Sequence, residues 1–210
     1  LKTESRLAAR KDILIVSGRE IISPISTKLS MSSTKTNLSV TPESGNFPRL
    51  SGFASVMQRY RFRKARIVYQ SVCPSTRSGS LAFALSQTSA EPLPTSMAEF
   101  SAYAQSAVSS VTTNYVATDW YHYNGDEWWD TDDDNVSVDP SKVTQLMLMY
   151  RSGGSTAADD LLESGVLFIE YECELSGYRP VPVTNYLGTG LADYTFDSNG
   201  AALQVSTKIN

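Results

Sequence analysis

The sequence predicts an all-β domain, a sandwich or a barrel, and two observations support this fold class. Short runs rich in Val, Ile, Leu, Phe and Tyr are separated by Ser, Thr, Gly and Pro, as strands are separated by turns. No long stretch of the sequence has the spacing of an amphipathic helix. A chain of 210 residues buries about 70% of its unfolded surface when it folds, so disulfides are not needed to form a core.

The first half of the chain contains one predicted helix followed by two predicted strands. Residues 48–60 place apolar side chains at helical spacing, namely Leu50, Phe53, Met57 and Tyr60. The runs RIVYQSV, residues 66–72, and GSLAFAL, residues 79–85, are short, apolar and bounded by turn residues. We therefore expect a short helix inserted before two strands.

The second half contains another short helix and two further strands. Residues 94–104 begin with Pro94 and Thr95, a predicted cap, and continue with Met97, Phe100 and Tyr103 at helical spacing. The strands are predicted at residues 143–150 and 165–175. In the last strand two sets of residues alternate, Leu167, Ile169, Tyr171, Cys173 and Leu175 against Phe168, Glu170, Glu172 and Glu174. Because successive strand residues point to opposite faces, one face is predicted to be core and the other to carry three acids.

The organisation along the chain is simple. Residues 1–17 are predicted to form an N-terminal arm and residues 181–210 a C-terminal tail, which leaves one domain at 18–180. No run approaches the roughly 20 apolar residues of a membrane span, and the start lacks a secretory signal. We expect a soluble, non-secreted protein with no membrane anchor. Cys73 and Cys173 match neither a disulfide framework nor a zinc spacing and are predicted to be free thiols.

Charge is distributed unevenly between the two parts of the chain. Residues 1–77 carry a formal charge of +10 and residues 78–210 carry −14, within an overall charge of −4. Such polarity predicts one surface that faces an anion such as nucleic acid. The alternative is a pair of oppositely charged faces that only keep the fold soluble.

The run NGDEWWDTDDDN, residues 124–135, sets two tryptophans among six carboxylates. A glycosidase needs two carboxylates at a fixed separation, and nothing in this run fixes one. Asp130, Asp132 and Asp134 alternate in the way that calcium ligands often do, although the run is not an EF-hand. The alternatives are therefore a solvated acidic loop and a cation bridging two subunits. His122 has no nucleophile motif nearby and no phosphate-binding loop is present, so no enzyme is predicted.

Three segments carry a resemblance to a known family. Residues 47–85 read FPRLSGFASVMQRYRFRKARIVYQSVCPSTRSGSLAFAL, residues 165–175 read GVLFIEYECEL, and residues 18–25 read GREIISPI. The matching positions in the first segment are Pro48, Leu50, Tyr60, Arg61, Cys73, Pro74, Gly79 and the run Ala82 to Ala84. In this order the segments resemble the shell domain of small icosahedral positive-strand RNA virus coat proteins of the tombusvirus, sobemovirus and nodavirus type.

The resemblance implies a fold and a function. The fold is an eight-stranded antiparallel jelly-roll sandwich with two short inserted helices, in which residues 18–180 form the shell domain. The function is that of a capsid protein that self-assembles into an icosahedral shell and packages viral genomic RNA without reading its sequence. We expect such a protein in the virion, assembled in the host cytoplasm.

The resemblance also suggests residues for each contact. The inserted helix and the residues after it are expected at the subunit interface, through Phe53, Met57, Arg59 and Tyr60. RNA is expected to be neutralised by Arg6, Arg10, Lys11, Arg61 and Arg63. For the basic cluster at residues 59–66, ion pairs between subunits or a solvated edge are equally compatible with the sequence.

Calcium between subunits is the second contact that the resemblance implies. The place where relatives keep paired acids reads SQTSAEPLP here, residues 86–94, with Glu91 as its one acid. Asp130, Asp132 and Asp134 are the substitute ligands that we predict. The rival function is a carbohydrate-binding jelly roll, in which Trp120, Trp128 and Trp129 stack on a glycan and the acids hold calcium.

Overall fold

Two antiparallel sheets form the fold, as seen in a computed structural model. The structure describes residues 6–10, 13–27, 30–42, 45–87, 90–131, 140–154, 162–178, 194–196 and 202–204. The chain divides into two units, residues 1–178 and 179–210. The second unit contributes one antiparallel pair of short strands, β12 (Tyr194–Phe196) and β13 (Ala202–Gln204).

The larger sheet, which we call the large sheet, is built on three long strands. These are β2 (Ile13–Thr27), β11 (Leu162–Tyr178) and β4 (Met57–Ser71), with β11 in the middle. The short strand β1 (Arg6–Arg10) extends one edge by pairing with β2. Along the other edge β4 pairs in turn with three short strands, β7 (Tyr115–Ala117), β8 (Tyr121–His122) and β9 (Trp129–Asp130).

The second sheet, which we call the small sheet, has four strands in the order β3–β10–β5–β6. Their bounds are β3 (Ser32–Leu38), β10 (Leu146–Gly153), β5 (Ser80–Ser86) and β6 (Ser106–Ser110). If β7 to β9 are counted as one interrupted strand, each sheet has four principal strands and the chain crosses repeatedly between sheets. This is the jelly-roll arrangement, so the predicted fold class is confirmed.

The core lies between the inner faces of the two sheets. Its members in β11 are the alternating residues predicted from sequence, Leu167, Ile169, Tyr171, Cys173 and Leu175, and all are buried. Four aromatic rings of the core pack on one another in tilted or edge-to-face contacts. They belong to Phe47, Tyr60, Phe62 and Tyr171. The predicted division of β11 into a core face and an acidic face is confirmed.

The first predicted helix is shorter than expected. Helix α1 spans Pro48–Ala54, and β4 already begins at Met57. Met57 and Tyr60 therefore lie in a strand, where they pair with Tyr178 and Leu175 of β11. The prediction that the helix continues to residue 60 was wrong. The long pairing of β4 with the buried central strand β11 overrides the weak helical periodicity of these residues.

The second predicted helix is present and its cap is one residue later than expected. Helix α2 spans Met97–Ser101, and the Ser96 side chain accepts a hydrogen bond from the Glu99 N–H at 3.2 Å. The Glu99 carboxylate in turn accepts the N–H of Thr95, the residue before the cap, at 2.7 Å, in an arrangement similar to a capping box. This hydrogen bond lowers the pKa of Glu99. A third helix, α3 (Pro140–Val143), was not predicted.

The predicted boundaries at residues 17 and 180 stay predictions. β2 begins at Ile13, five residues before the predicted start of the domain, and the division into units falls after Tyr178. Among the helices of the described residues, none has the length and apolarity that a membrane crossing requires.

Candidate functional site

The outer face of the large sheet, which points away from the core, carries opposing charges on neighbouring strands. Strand register sets Glu170 opposite Arg66, Glu172 opposite Lys64, and Glu174 opposite Arg61. Directly opposed residues of an antiparallel pair share a face and lie close enough to interact. We call this set the charge ladder, and its members are Arg61, Arg63, Lys64, Arg66, Glu170, Glu172 and Glu174.

The contacts of the charge ladder differ in length and burial. Arg66 Nη2 lies 2.7 Å from Glu170 Oε2, and Glu174 Oε2 accepts from Arg61 Nε at 2.6 Å and from Arg63 Nε at 3.0 Å. The Arg61 and Glu174 side chains are only 8% and 15% exposed. By contrast, Lys64 Nζ and Glu172 Oε2 are 3.8 Å apart and their side chains are 48% and 38% exposed. The ladder therefore runs from a buried, charge-assisted end to a solvated middle.

The ladder explains much of the charge polarity of the sequence. The basic run of β4 and the acids of β11 neutralise one another within one chain, although Arg61 and Glu174 are 113 positions apart. Arg63 also donates to the carbonyl oxygens of Tyr123 at 3.2 Å and Gly125 at 2.8 Å. Arg61 and Arg63 were predicted to bind RNA; both guanidinium groups are held by partners in the same chain, and their contact with RNA stays a prediction.

The remaining RNA-binding residues stay predictions. Arg6 and Arg10 lie in β1, at the edge of the large sheet, and Lys11 lies outside the described residues. The alternatives for residues 59–66, pairs between subunits or a solvated edge, are replaced by intrachain pairs for Arg61, Arg63, Lys64 and Arg66.

The three tryptophans do not share one face of the large sheet and do not form one open platform. The Arg61 guanidinium lies 4.0 Å from the centroid of the Trp128 ring, and Arg66 lies 4.4 Å from that of Trp120. Trp129 is buried and meets Tyr123 edge to face at 5.4 Å. A glycan cannot stack on all three rings, so the structure does not support the carbohydrate-binding hypothesis.

The acids of the run contribute two described ion pairs. Asp126 Oδ1 lies 4.0 Å from Arg61 Nη1, and Asp130 Oδ1 lies 3.8 Å from Arg59 Nε. Asp132 and Asp134 lie outside the described residues. Within the described part of the chain no group of three His, Cys, Asp or Glu residues is placed to hold a metal ion. Asp130 as a calcium ligand, together with Asp132 and Asp134, stays a prediction.

Two of the four predicted interface residues belong to the core. Tyr60 is fully buried and its hydroxyl donates to the Val143 carbonyl at 2.5 Å, while Met57 is also buried in the core. Burial raises the pKa of the Tyr60 hydroxyl, which keeps it a hydrogen-bond donor. We correct both assignments. Phe53 is partly buried and Arg59 is exposed, so their role at an interface stays a prediction.

Sequence reasoning did not single out a buried carboxylate in β2. Glu20 accepts hydrogen bonds from the Tyr171 hydroxyl and from the Arg49 N–H, the latter at 3.0 Å. Burial, followed by the hydrogen bond to Glu20, raises the pKa of Tyr171. Glu20 thus ties β2 to β11 and to the start of α1. An acid at an otherwise apolar strand position was the signal in the sequence.

The comparisons with known proteins identify the family. A family model described as viral coat protein (S domain) matches residues 2–181. The chain belongs to this family. The coat-protein resemblance predicted from the sequence is therefore confirmed, and the family's role is structural.

Individual relatives agree with the family match. The capsid protein of Melon necrotic spot virus is 31% identical over 138 residues, which are 64% of this chain and 33% of that protein. A second capsid protein, from Red clover necrotic mosaic virus, is 29% identical over 136 residues, which are 64% of this chain and 38% of that protein. This coat-protein chain thus spans about a third of the length of the curated relatives it matches.

Solved structures show the shared fold. The structure of tobacco necrosis virus superposes with a TM-score of 0.72 at 20% identity, covering 86% of this chain and 90% of that one. The particle of the giant freshwater prawn nodavirus gives a TM-score of 0.66 at 17% identity, covering 83% and 100%. The jelly roll described above is the fold that these viral coats have in common.

Proposed function

We propose that this coat domain assembles with further copies of itself into a closed icosahedral shell that encloses viral RNA. The observation that carries the proposal is the match of residues 2–181 to the viral coat S domain. In symmetric shells each copy must present surfaces that complement other copies. A jelly roll supplies two packed four-stranded sheets whose sides can meet those of neighbouring copies, which suits such tiling.

The described surface offers apolar residues for contacts between copies. Ile21, Val72 and Tyr115 are large apolar side chains that are more than half exposed. By strand register Ile21 pairs with Phe168, and Tyr115 pairs with Gln70. Both pairs lie towards one end of the large sheet, and Glu174 lies towards the other end. Exposed apolar side chains grouped at one end of a sheet are typical of protein contact surfaces.

RNA is proposed to be held by charge neutralisation through the arm. Arg61 and Arg63 are paired within the chain, so the proposed phosphate contacts are Arg6, Arg10 and Lys11. The site of assembly is proposed to be the host cytoplasm. Counterion release makes such binding non-specific and steeply dependent on salt.

Nuclease protection tests the packaging proposal. Particles purified from expressing cells are treated with ribonuclease, and the RNA that survives is extracted and quantified. We expect protected RNA of mixed sequence, and less of it per particle when Arg6, Arg10 and Lys11 are changed together to Ala. Changing Lys35, an exposed residue of β3, to Ala is the control and is expected to leave the RNA content unchanged. Particles without protected RNA would contradict the packaging proposal.

Calcium at subunit contacts remains a proposal with its own test. If Asp130, Asp132 and Asp134 hold a bridging cation, its removal leaves ionised carboxylates that repel one another across the contact. We expect a chelator to lower the melting temperature of particles, and more so at about pH 8 than at about pH 5 because more carboxylates are then ionised. A melting temperature that is unchanged by chelator at both pH values would rule out the cation.

A further inference from the structure

A depression on the outer face of the large sheet has a lining that the proposed shell function does not use. It has a volume of about 400 Å³ and is lined by Ser17, Lys64, Trp120, His122, Tyr171 and Glu172. Four of these residues form one row across the sheet, because register sets Ser17 opposite Glu172, Glu172 opposite Lys64, and Lys64 opposite His122. The depression is therefore built on paired strands, and long strands hold side chains more precisely than loops do.

Trp120 is the side chain that distinguishes this depression. It is 38% exposed, whereas Trp129 is buried. Arg66 lies 4.4 Å from the centroid of the Trp120 ring, and its guanidinium is fixed in turn by Glu170 at 2.7 Å. The indole is thus held by a positioned cation on one side while part of its surface lines the depression. An immobilised, partly exposed indole is a surface on which another flat ring can stack.

The charges around the depression favour a stacked ligand over a purely ionic one. Lys64 is paired with Glu172, and Glu170 is shared by Arg66 and, at 3.9 Å, by Arg19, so most of the local positive charge is already offset by carboxylates of β11. The Lys64–Glu172 pair is long, at 3.8 Å, and about half exposed. Such pairs contribute little and are easily exchanged, so the Lys64 ammonium is able to turn to a phosphate. Glu172 then offers an acceptor to the edge of a base.

We propose that this depression binds an unpaired nucleobase of single-stranded RNA, stacked on Trp120, with Lys64 at the adjoining phosphate. The proposal deepens the packaging function and rests on it. Its position supports it, since Ser17 at one end of the row pairs with Arg6 of the proposed RNA-binding arm. Stacking on aromatic side chains accepts any base, as non-specific packaging requires.

Fluorescence anisotropy with a short, unstructured, dye-labelled RNA tests the proposal on the purified full chain. Binding is measured at about 50 mM and about 200 mM salt for the parent, Trp120→Leu and Trp120→Phe. Tyr178→Leu is the matched control, because Tyr178 is an exposed aromatic at the end of β11 outside the depression. Circular dichroism establishes that each variant is folded.

The expected result separates stacking from charge. Trp120→Leu weakens binding at least about fivefold, and by a similar factor at both salt concentrations because the lost contact is not ionic. Trp120→Phe keeps most of the affinity, and Tyr178→Leu binds as the parent does. If all variants bind equally while the parent binds RNA at low salt, the base site is refuted and packaging through the arm stands. If the parent does not bind RNA even at low salt, the packaging proposal itself fails.

Discussion

The substitution Gly165→Ala is expected to destabilise the coat domain by about 3 kcal/mol. Gly165 lies in β11 beside a bulge, and a Cβ there would stand 2.5 Å from the Gln70 carbonyl oxygen and 2.5 Å from the Tyr69 hydroxyl. Tyr69 cannot retreat easily, because its buried hydroxyl lies between the carbonyl oxygens of Val111 at 2.7 Å and Ser164 at 2.8 Å and shares its one proton between them. Backbone and core ring would both have to shift.

Thermal melting followed by circular dichroism measures this effect. For a chain of this size about 3 kcal/mol corresponds to a fall of roughly 6–12 °C in melting temperature. Gly52→Ala is the matched control, since Gly52 lies exposed in α1 and a Cβ there meets nothing within 4 Å. That variant should melt at the parent temperature or slightly above it, because Ala is the better helix former. Equal melting temperatures for the two variants would show that the packing around Gly165 is not as described.

The second large effect is expected from Glu174→Gln, which removes the charge at the buried end of the charge ladder. Arg61, whose side chain is 8% exposed, then keeps its own charge with its closest ionic partner gone. Removing one partner of a buried pair is costly because the other charge stays desolvated. The glutamine still offers an oxygen to Arg61 and Arg63, so we expect a loss of about 2–3 kcal/mol in the free energy of unfolding.

Glu172→Gln is the control for this prediction, on the same strand and the same face. Its partner Lys64 is 3.8 Å away and both side chains are well exposed, so the expected loss is at most about 0.5 kcal/mol. Equilibrium unfolding in urea of the parent and both variants gives the two values side by side. Losses of equal size would mean that burial does not set the strength of the ladder contacts.

Much of the fold was predictable because it depends on local patterns. Alternation in residues 165–175 identified the central strand and its core face, since a strand that is buried on one side must place an apolar residue at every second position. The helix at α1 was overextended because Leu50, Phe53, Met57 and Tyr60 satisfy helical spacing by coincidence. Tyr60 and Phe62 also satisfy the strand period, and only the pairing with β11 decides between the two.

The functional surface was less predictable because it depends on register between distant strands. The basic cluster of β4 was interpreted as an anion-binding or interface surface, and nothing in the local sequence reveals that Glu170, Glu172 and Glu174 lie opposite it. The depression beside Trp120 combines residues from β2, β4, β8 and β11 with a loop. Its components were each visible in the sequence, but their proximity follows from the sheet alone.

Electron microscopy of the purified protein in negative stain tests the central claim most directly. A coat domain that assembles with itself should yield closed, round shells of uniform size, tens of nanometres across. Micrographs that show only monomers or small oligomers of the folded parent protein would contradict the assignment of a self-assembling shell.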